Sequence, residues 1–137
     1  MHIGHSDEDI FLPDGSRVSM NSRSMLLYSE QFTGKYRSVF LIGEANFKVK
    51  ANKNKPFIVK TNDFQITALG TEFNVNAYPE NNELIATLLE GSVKVEFNNL
   101  ISNVILKPSE QITYNKQTRK RSLQSPRIED VTAWQRG

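Results

Sequence analysis

The sequence predicts an all-β domain of about a dozen short strands, arranged as a β-roll or sandwich with glycine corners or as a short β-solenoid. The first indication is that apolar and polar residues alternate at every second position, which is typical of half-buried strands. Clear examples are Phe64/Ile66/Ala68, Phe73/Val75/Ala77 and Val93/Val95/Phe97. The second indication is that turn-forming residues separate these segments at short intervals.

Three segments share a further pattern, in which a short apolar strand reaches a glycine and continues as an alternating strand. The segments are residues 41–49, 68–75 and 89–97, with glycines at Gly43, Gly70 and Gly91. Glycine tolerates positive φ and a close approach of other backbone, which suits a corner or bulge in a sheet. We therefore expect the chain to turn corners at these three positions.

The length and composition fit one globular domain. The chain has 137 residues, of which 38% are hydrophobic and 23% charged, enough for a core without a metal or a disulfide. We predict a β domain over residues 9–115, preceded by a linker or added segment at residues 1–8 and followed by a tail at residues 116–137. No helix is predicted in the tail, because it lacks an apolar stripe at helical spacing and Pro126 interrupts it.

The charge balance argues against nucleic acid as a partner. The chain has 17 basic and 15 acidic residues and a net charge of +2, so no overall field attracts polyanions. The basic run at residues 116–121 is best interpreted as a solvated linker or hairpin, since no aromatic residue is interleaved with it to stack on bases. A protein-binding patch and a polyanion contact remain the alternatives for this run.

Few residues are candidates for catalysis. There is no cysteine, and the only histidines, His2 and His5, lie in the N-terminal segment, where we predict no strand. Glu44 and Glu90 flank two corner glycines and are candidates for the acid/base pair of a glycosidase, but one follows its glycine and the other precedes it. The two carboxylates therefore need not share a face. We assign no catalytic, cofactor-binding or metal-ligating residue and expect a protein that is not an enzyme.

Aromatic residues suggest two binding hypotheses. Four tyrosines on or near the predicted strands would suit a carbohydrate-binding platform, although such residues more often form cross-strand packing pairs. They are Tyr28, Tyr36, Tyr78 and Tyr114. Trp134 is the only tryptophan and lies three residues from the end, so it either docks back on this domain or begins a following one. We assign it as a candidate inter-domain contact.

Several motifs, taken in order, resemble the FecR family over about residues 9–115. They lie at residues 12–18, 37–49, 55–59, 69–78, 87–93 and 106–108. The residues that carry the resemblance are Pro13, Asp14, Gly15, Gly43, Glu44, Phe47, Gly70, Thr71, Phe73, Asn74 and Gly91. We interpret them structurally: Pro13-Asp14-Gly15 forms a turn between two strands, and Thr71 and Asn74 hydrogen-bond to backbone groups at a corner.

The resemblance implies a place in signalling across the bacterial envelope. A FecR-like protein is expected to hold an extracytoplasmic-function sigma factor through a cytoplasmic segment, to cross the inner membrane once, and to sense a TonB-dependent outer-membrane transporter through a periplasmic domain. The sequence is expected to be that periplasmic part, because no apolar run approaches the roughly 20 residues of a membrane span. The resemblance also implies that a second small domain follows residue 137. A carbohydrate-binding β module remains the alternative.

Overall fold

The computed structural model describes residues 2–5, 9–98 and 103–136. In these ranges thirteen strands form one continuous sheet that curls into a half-barrel, which confirms the all-β prediction. The strands are β1 (His2–His5), β2 (Asp9–Phe11), β3 (Arg17–Met20), β4 (Met25–Tyr28), β5 (Arg37–Lys48), β6 (Phe57–Lys60), β7 (Phe64–Ala68), β8 (Glu72–Ala77), β9 (Glu83–Glu90), β10 (Val93–Phe97), β11 (Val104–Leu106), β12 (Gln111–Asn115) and β13 (Arg121–Gln124). A helical turn, α1 (Ile128–Val131), and a 3-10 turn, Ala133–Arg136, follow.

Strand β5 is the central element, because it belongs to both halves of the curled sheet. Its first half pairs with β4 and, in parallel, with β6, whereas its second half pairs with β3 and β8. The change of partners occurs at Gly43, where φ is +107° and a Cβ atom would lie 2.7 Å from the Cβ of Ser24. Only glycine fits this corner without strain, as the sequence pattern predicts.

The rest of the sheet extends outward from β5 on both sides. One side continues through β6, β7 and β10 to β11, and the other through β8, β9 and β12 to β13. The apolar face of each half lines the inside of the curl, where Phe47 of β5 stacks on its cross-strand partner Phe73 of β8 with ring centroids 5.2 Å apart. Both rings are almost completely buried. The alternating pattern therefore produces one core shared by the two halves.

The other two predicted corners pack against each other. Gly91 has a φ of +89°, and a Cβ atom on it would lie 2.6 Å from Cγ2 of Thr71 and 3.0 Å from the carbonyl oxygen of Gly70. The methyl group of Thr71 thus occupies the space that a side chain at residue 91 would need. This contact explains why the repeat places a glycine in the turn that follows β9.

Two expectations about the termini are wrong. His2 and His5 lie in a strand, β1, which pairs with β4, although the sequence predicts no strand there. The predicted tail contains β13, which pairs with β12, and the helical turns that follow it. Helix α1 is a single turn with no buried residue and no side-chain cap, so it leaves no amphipathic pattern in the sequence.

Candidate functional site

The Pro13-Asp14-Gly15 turn is held by an ion pair with the most buried charged side chain of the described residues. Arg37 is 1% exposed, and its Nη1 lies 2.7 Å from Oδ2 of Asp14. The same guanidinium donates to the carbonyl oxygens of Lys55 and Lys50, each at 2.7 Å. A buried guanidinium with a carboxylate and several carbonyl acceptors is a structural clamp, in line with the structural interpretation of this motif.

Glu44 follows the corner at Gly43 and points away from the apolar core. Its backbone N–H donates to Oγ of Ser24 at 2.9 Å, and its Oε1 accepts a hydrogen bond from Nδ2 of Asn21 at 3.0 Å. Burial raises the pKa of the Glu44 carboxyl above its usual value, while the Asn21 amide and the indole N–H of Trp134 act in the opposite direction. Nε1 of Trp134 nevertheless reaches no partner with ordinary hydrogen-bond geometry.

Beside Glu44, the outer face of the sheet carries a row of amide and hydroxyl side chains. Asn46, Asn74, Thr87 and Gln111 are cross-strand neighbours on β5, β8, β9 and β12. Gln111 donates to Oγ1 of Thr87 at 2.8 Å, and Nδ2 of Asn46 donates to Glu72 at 3.1 Å. A polar row this deep is unusual, because buried polar groups normally belong to closed hydrogen-bond networks.

Some polar atoms on this face have no hydrogen-bond partner in the described part of the chain. Two of the row's buried amide atoms, Oδ1 of Asn46 and Nδ2 of Asn74, have no hydrogen-bond partner among the described residues. Oδ1 of Asn76, two residues further along β8, has none either. Asn74 is 2% exposed, so its free donor is well removed from bulk solvent. Such groups are costly to bury unless something outside the protein chain bonds to them.

The C-terminal turns lie over part of this face and border an open cavity. The cavity has a volume of about 280 Å³ and lies between the sheet and the segment that contains α1. It is lined by Glu44, Asn74, Asn76, Ile85, Thr87, Gln111, Asp130, Val131 and Trp134. A second cavity of about 250 Å³ lies on the other side of Trp134, next to Asp9 and Arg17. The tryptophan thus docks back on this chain; its proposed contact with a following domain stays a prediction.

The sequence pattern identifies some residues of this site but does not show that they lie together. Glu44, Asn74 and Trp134 are singled out by the sequence, whereas Asn76, Thr87 and Gln111 are not. The missed residues all occupy polar positions of alternating strands, and the two-residue spacing of Asn74 and Asn76 was the only signal of an amide-rich face. The prediction that Thr71 bonds to backbone is wrong, because its buried Oγ1 has no hydrogen-bond partner among the described residues. Nδ2 of Asn74 has none either.

The structure does not bring together the two carboxylates considered for catalysis. Glu44 lies in the cavity below Trp134, whereas Glu90 is exposed at the end of β9 and lines a separate shallow groove with Lys48 and Glu72. In the described part of the chain, no group of three or more His, Cys, Asp or Glu residues is placed to hold a metal ion. The glycosidase-like pair is therefore not formed.

The four tyrosines do not make one platform. Tyr114 is buried and packs on Phe97 with ring centroids 4.9 Å apart, while Tyr36 is 52% exposed. Tyr78 donates through its hydroxyl group to the carbonyl oxygen of Ser22 at 2.8 Å. The basic run forms the turn between β12 and β13, which matches its interpretation as a solvated hairpin.

An exposed apolar surface lies at one end of the sheet. Ile105 of β11 is 65% exposed and Leu69 is 46% exposed, and together with Lys94 they line a shallow groove of about 310 Å³. Among the described residues, β11 pairs only with β10, so its other side is a sheet edge. An edge strand with apolar side chains on its outer face is a template for pairing with another chain.

No helix within residues 2–5, 9–98 and 103–136 is both long enough and apolar enough to cross a membrane.

Comparisons with known proteins give a family model and two crystal structures. The model described as "FecR protein" matches residues 3–94. Two crystal structures, at 1.65 Å and 2.50 Å, of a candidate anti-sigma factor from Parabacteroides distasonis ATCC 8503 superpose with TM-scores of 0.95 and 0.94, each at 32% identity. They align with 100% and 99% of this chain, which spans 66% and 65% of theirs. A search of curated proteins finds no match. The chain belongs to the FecR family.

Proposed function

We propose that this chain is the periplasmic sensing domain of an anti-sigma regulator. In this role it relays the state of a TonB-dependent outer-membrane transporter to an extracytoplasmic-function sigma factor through protein–protein contacts. Two observations support the proposal: the chain belongs to a family of membrane-anchored periplasmic sensors, and its fold matches that of a candidate anti-sigma factor at 32% identity. The work of such a domain is binding, and we propose that it is regulatory and not enzymatic.

The single observation that supports a protein-binding role best is the edge of the sheet at β11. Ile105 and Leu69 are large apolar side chains that stay more than two-fifths exposed beside an edge strand. An extended segment of a partner that adds to such an edge gains main-chain hydrogen bonds, and its alternate side chains pack on the apolar groove. We propose that the segment belongs to the signalling domain of the transporter.

The proposed relay also involves segments outside this chain. We propose that a cytoplasmic segment holds the sigma factor and that a single membrane span joins it to the periplasmic domain. We further propose that residues 9–115 form the sensing domain and that residues 116–137 lead from it to a following domain, with Trp134 near the junction. Trp134 is well placed for this, because it is only partly buried at the surface of the sheet.

A sigma-dependent reporter in cells tests this function. The full-length sensor with Ile105→Lys is expected to lose most of the transcriptional response to the transporter's ligand, because a lysine at the edge removes apolar contact and opposes strand pairing. Leu123→Lys is the matched control, since Leu123 is 53% exposed on the opposite edge strand β13. A normal response in Ile105→Lys, with the protein present at its usual level, would contradict the proposed contact.

A further inference from the structure

The cavity between the sheet and the C-terminal turns is lined by polar and aromatic side chains that have no part in the proposed signalling role. Its floor is formed by side chains from four neighbouring strands, β5, β8, β9 and β12, and its wall by Trp134 and α1. Cross-strand registration fixes the spacing of these groups, because each one stands on a paired backbone position. The site is thus built on rigid elements, as a binding site for a small molecule usually is.

The unpartnered groups at this face include both a donor and acceptors. Nδ2 of Asn74 is a free donor, and Oδ1 of Asn76 is a free acceptor on the same strand, two residues away. Oδ1 of Asn46, the cross-strand neighbour of Asn74, is a second free acceptor on this face, next to the cavity and not in its lining. A hydroxyl group both donates and accepts, so adjacent hydroxyl groups on one ligand complement this arrangement.

The charges around the cavity make the binding of an anionic ligand unfavourable. No lysine or arginine lines it, and the two carboxylates that do are Glu44 and Asp130. The carboxylate of Glu44 already accepts a hydrogen bond from Asn21. A phosphate, sulfate or carboxylate ligand would therefore meet like charges and no cation, whereas a neutral polar ligand meets amides and hydroxyls.

The aromatic wall and the volume of the cavity further restrict the chemical class and the size of a ligand that could bind there. Trp134 offers an apolar aromatic surface next to the amides, a combination that suits a molecule with hydroxyl groups on its rim and C–H groups on its faces. The volume of about 280 Å³ is just below the roughly 300–1,000 Å³ of typical ligand pockets, which leaves space for one small ring. We propose that this cavity binds a neutral, monosaccharide-sized polyol through Asn74, Asn76 and Trp134.

This site lies apart from the β11 edge, so the two proposals can fail separately. Glu44 and Asn74 are on β5 and β8, whereas the apolar groove lies on β7, β10 and β11. A ligand in the cavity touches both the sheet and the C-terminal turns. Its binding is therefore expected to hold residues 128–136 against the sheet and to raise the melting temperature of the chain.

Titration of the chain with single sugars tests the proposal. Trp134 is the only tryptophan, so its fluorescence and its indole N–H signal in a 1H–15N spectrum report on the cavity directly. Glucose, galactose, mannose and N-acetylglucosamine serve as probes, with sodium sulfate and triglycine as anionic and peptide controls. At least one sugar is expected to give a saturable shift with a dissociation constant of about 1 mM or tighter.

Substitutions then assign the response to the amides. Asn74→Leu is expected to weaken sugar binding at least about tenfold and to keep or raise the melting temperature, because leucine needs no hydrogen-bond partner. Asn76→Leu, at a less buried position, provides the same test should Asn74→Leu fail to fold. Asn54→Ala is the matched control, since Asn54 is exposed in a turn on another part of the molecule. No saturable shift with any sugar, a shift with triglycine alone, or sugar binding that both leucine variants retain would overturn the proposal.

Discussion

Arg37 and Asp14 form an ion pair of 2.7 Å that joins the start of β5 to the turn before β3, with the arginine 1% exposed. The guanidinium also lies 5.4 Å from the centre of the Phe57 ring. Asp14 thus neutralises the buried charge of Arg37. The turn is part of the architecture of the core, and several consequences can be measured.

Asp14→Ala is expected to lower the free energy of unfolding by about 3 kcal/mol, because it leaves a buried guanidinium without its counter-charge. The control is Asp9→Ala, which removes the ion pair with Arg17, where both side chains are roughly half exposed. An exposed pair contributes about 1 kcal/mol at most. Urea denaturation measures both values, and equal losses in the two variants would contradict the clamp.

Gly43→Ala is expected to destabilise the chain by about 2 kcal/mol or more, since a non-glycine residue is strained at positive φ and its Cβ would overlap Ser24. Gly34→Ala is the control, because no atom lies within 4 Å of a Cβ built at that position. It is expected to change stability by less than about 0.5 kcal/mol. Thermal melts of the two variants measure these losses. Similar melting temperatures would show that the corner in β5 does not require a glycine at residue 43.

Glu44→Gln is expected to change how stability depends on pH. Burial raises the pKa of the Glu44 carboxyl in the folded chain, so the folded state binds this proton more tightly than the unfolded state. That contribution stabilises the fold at low pH and is lost as the pH rises from the ordinary glutamate pKa through the raised one. The glutamine variant lacks the loss and still offers an oxygen to Asn21.

The measurement for Glu44→Gln is a series of melts of both proteins from acidic to neutral pH. The variant is expected to gain stability relative to the native chain as the pH rises through this window, and the gain should level off at neutral pH. The hydrogen-bonding groups beside the carboxyl belong to Asn21 and Trp134, which do not titrate in this range, and Asp130 is the other carboxylate that lines the cavity. A difference that stays constant with pH would contradict a raised pKa.

The fold was predictable from the sequence to the level of class and corners. Alternation identifies strands because side chains on a strand point to opposite faces, and Gly43 and Gly91 mark corners because only glycine adopts their φ without strain. The pairing order was not predictable. Strand β5 joins both halves of the sheet and pairs in parallel with β6, and nothing in a local pattern specifies which distant strand becomes a neighbour.

The candidate sites were less predictable for a related physical reason. Asn46, Asn74 and Gln111 occupy polar positions that look solvent-exposed in any strand pattern, yet in the fold Asn46 and Asn74 are buried and Gln111 is half-buried. The C-terminal turns that border Asn74 and Gln111 have no apolar periodicity, so Trp134 is the one sign in the sequence that they could return to the sheet. The clamp between Arg37 and Asp14 was hidden in the same way, since a buried arginine cannot be distinguished from an exposed one by its neighbours.

The most direct test of the proposed relay is the affinity of the purified chain for the signalling domain of a TonB-dependent transporter from the same organism. Biolayer interferometry with the native chain is expected to give specific binding, weakened at least about tenfold by Ile105→Lys. Leu123→Lys on the opposite edge strand should leave the affinity unchanged. Binding that Ile105→Lys does not weaken would exclude the β11 edge, and no binding by the native chain or by the full periplasmic region would contradict a sensor that works through contact with the transporter.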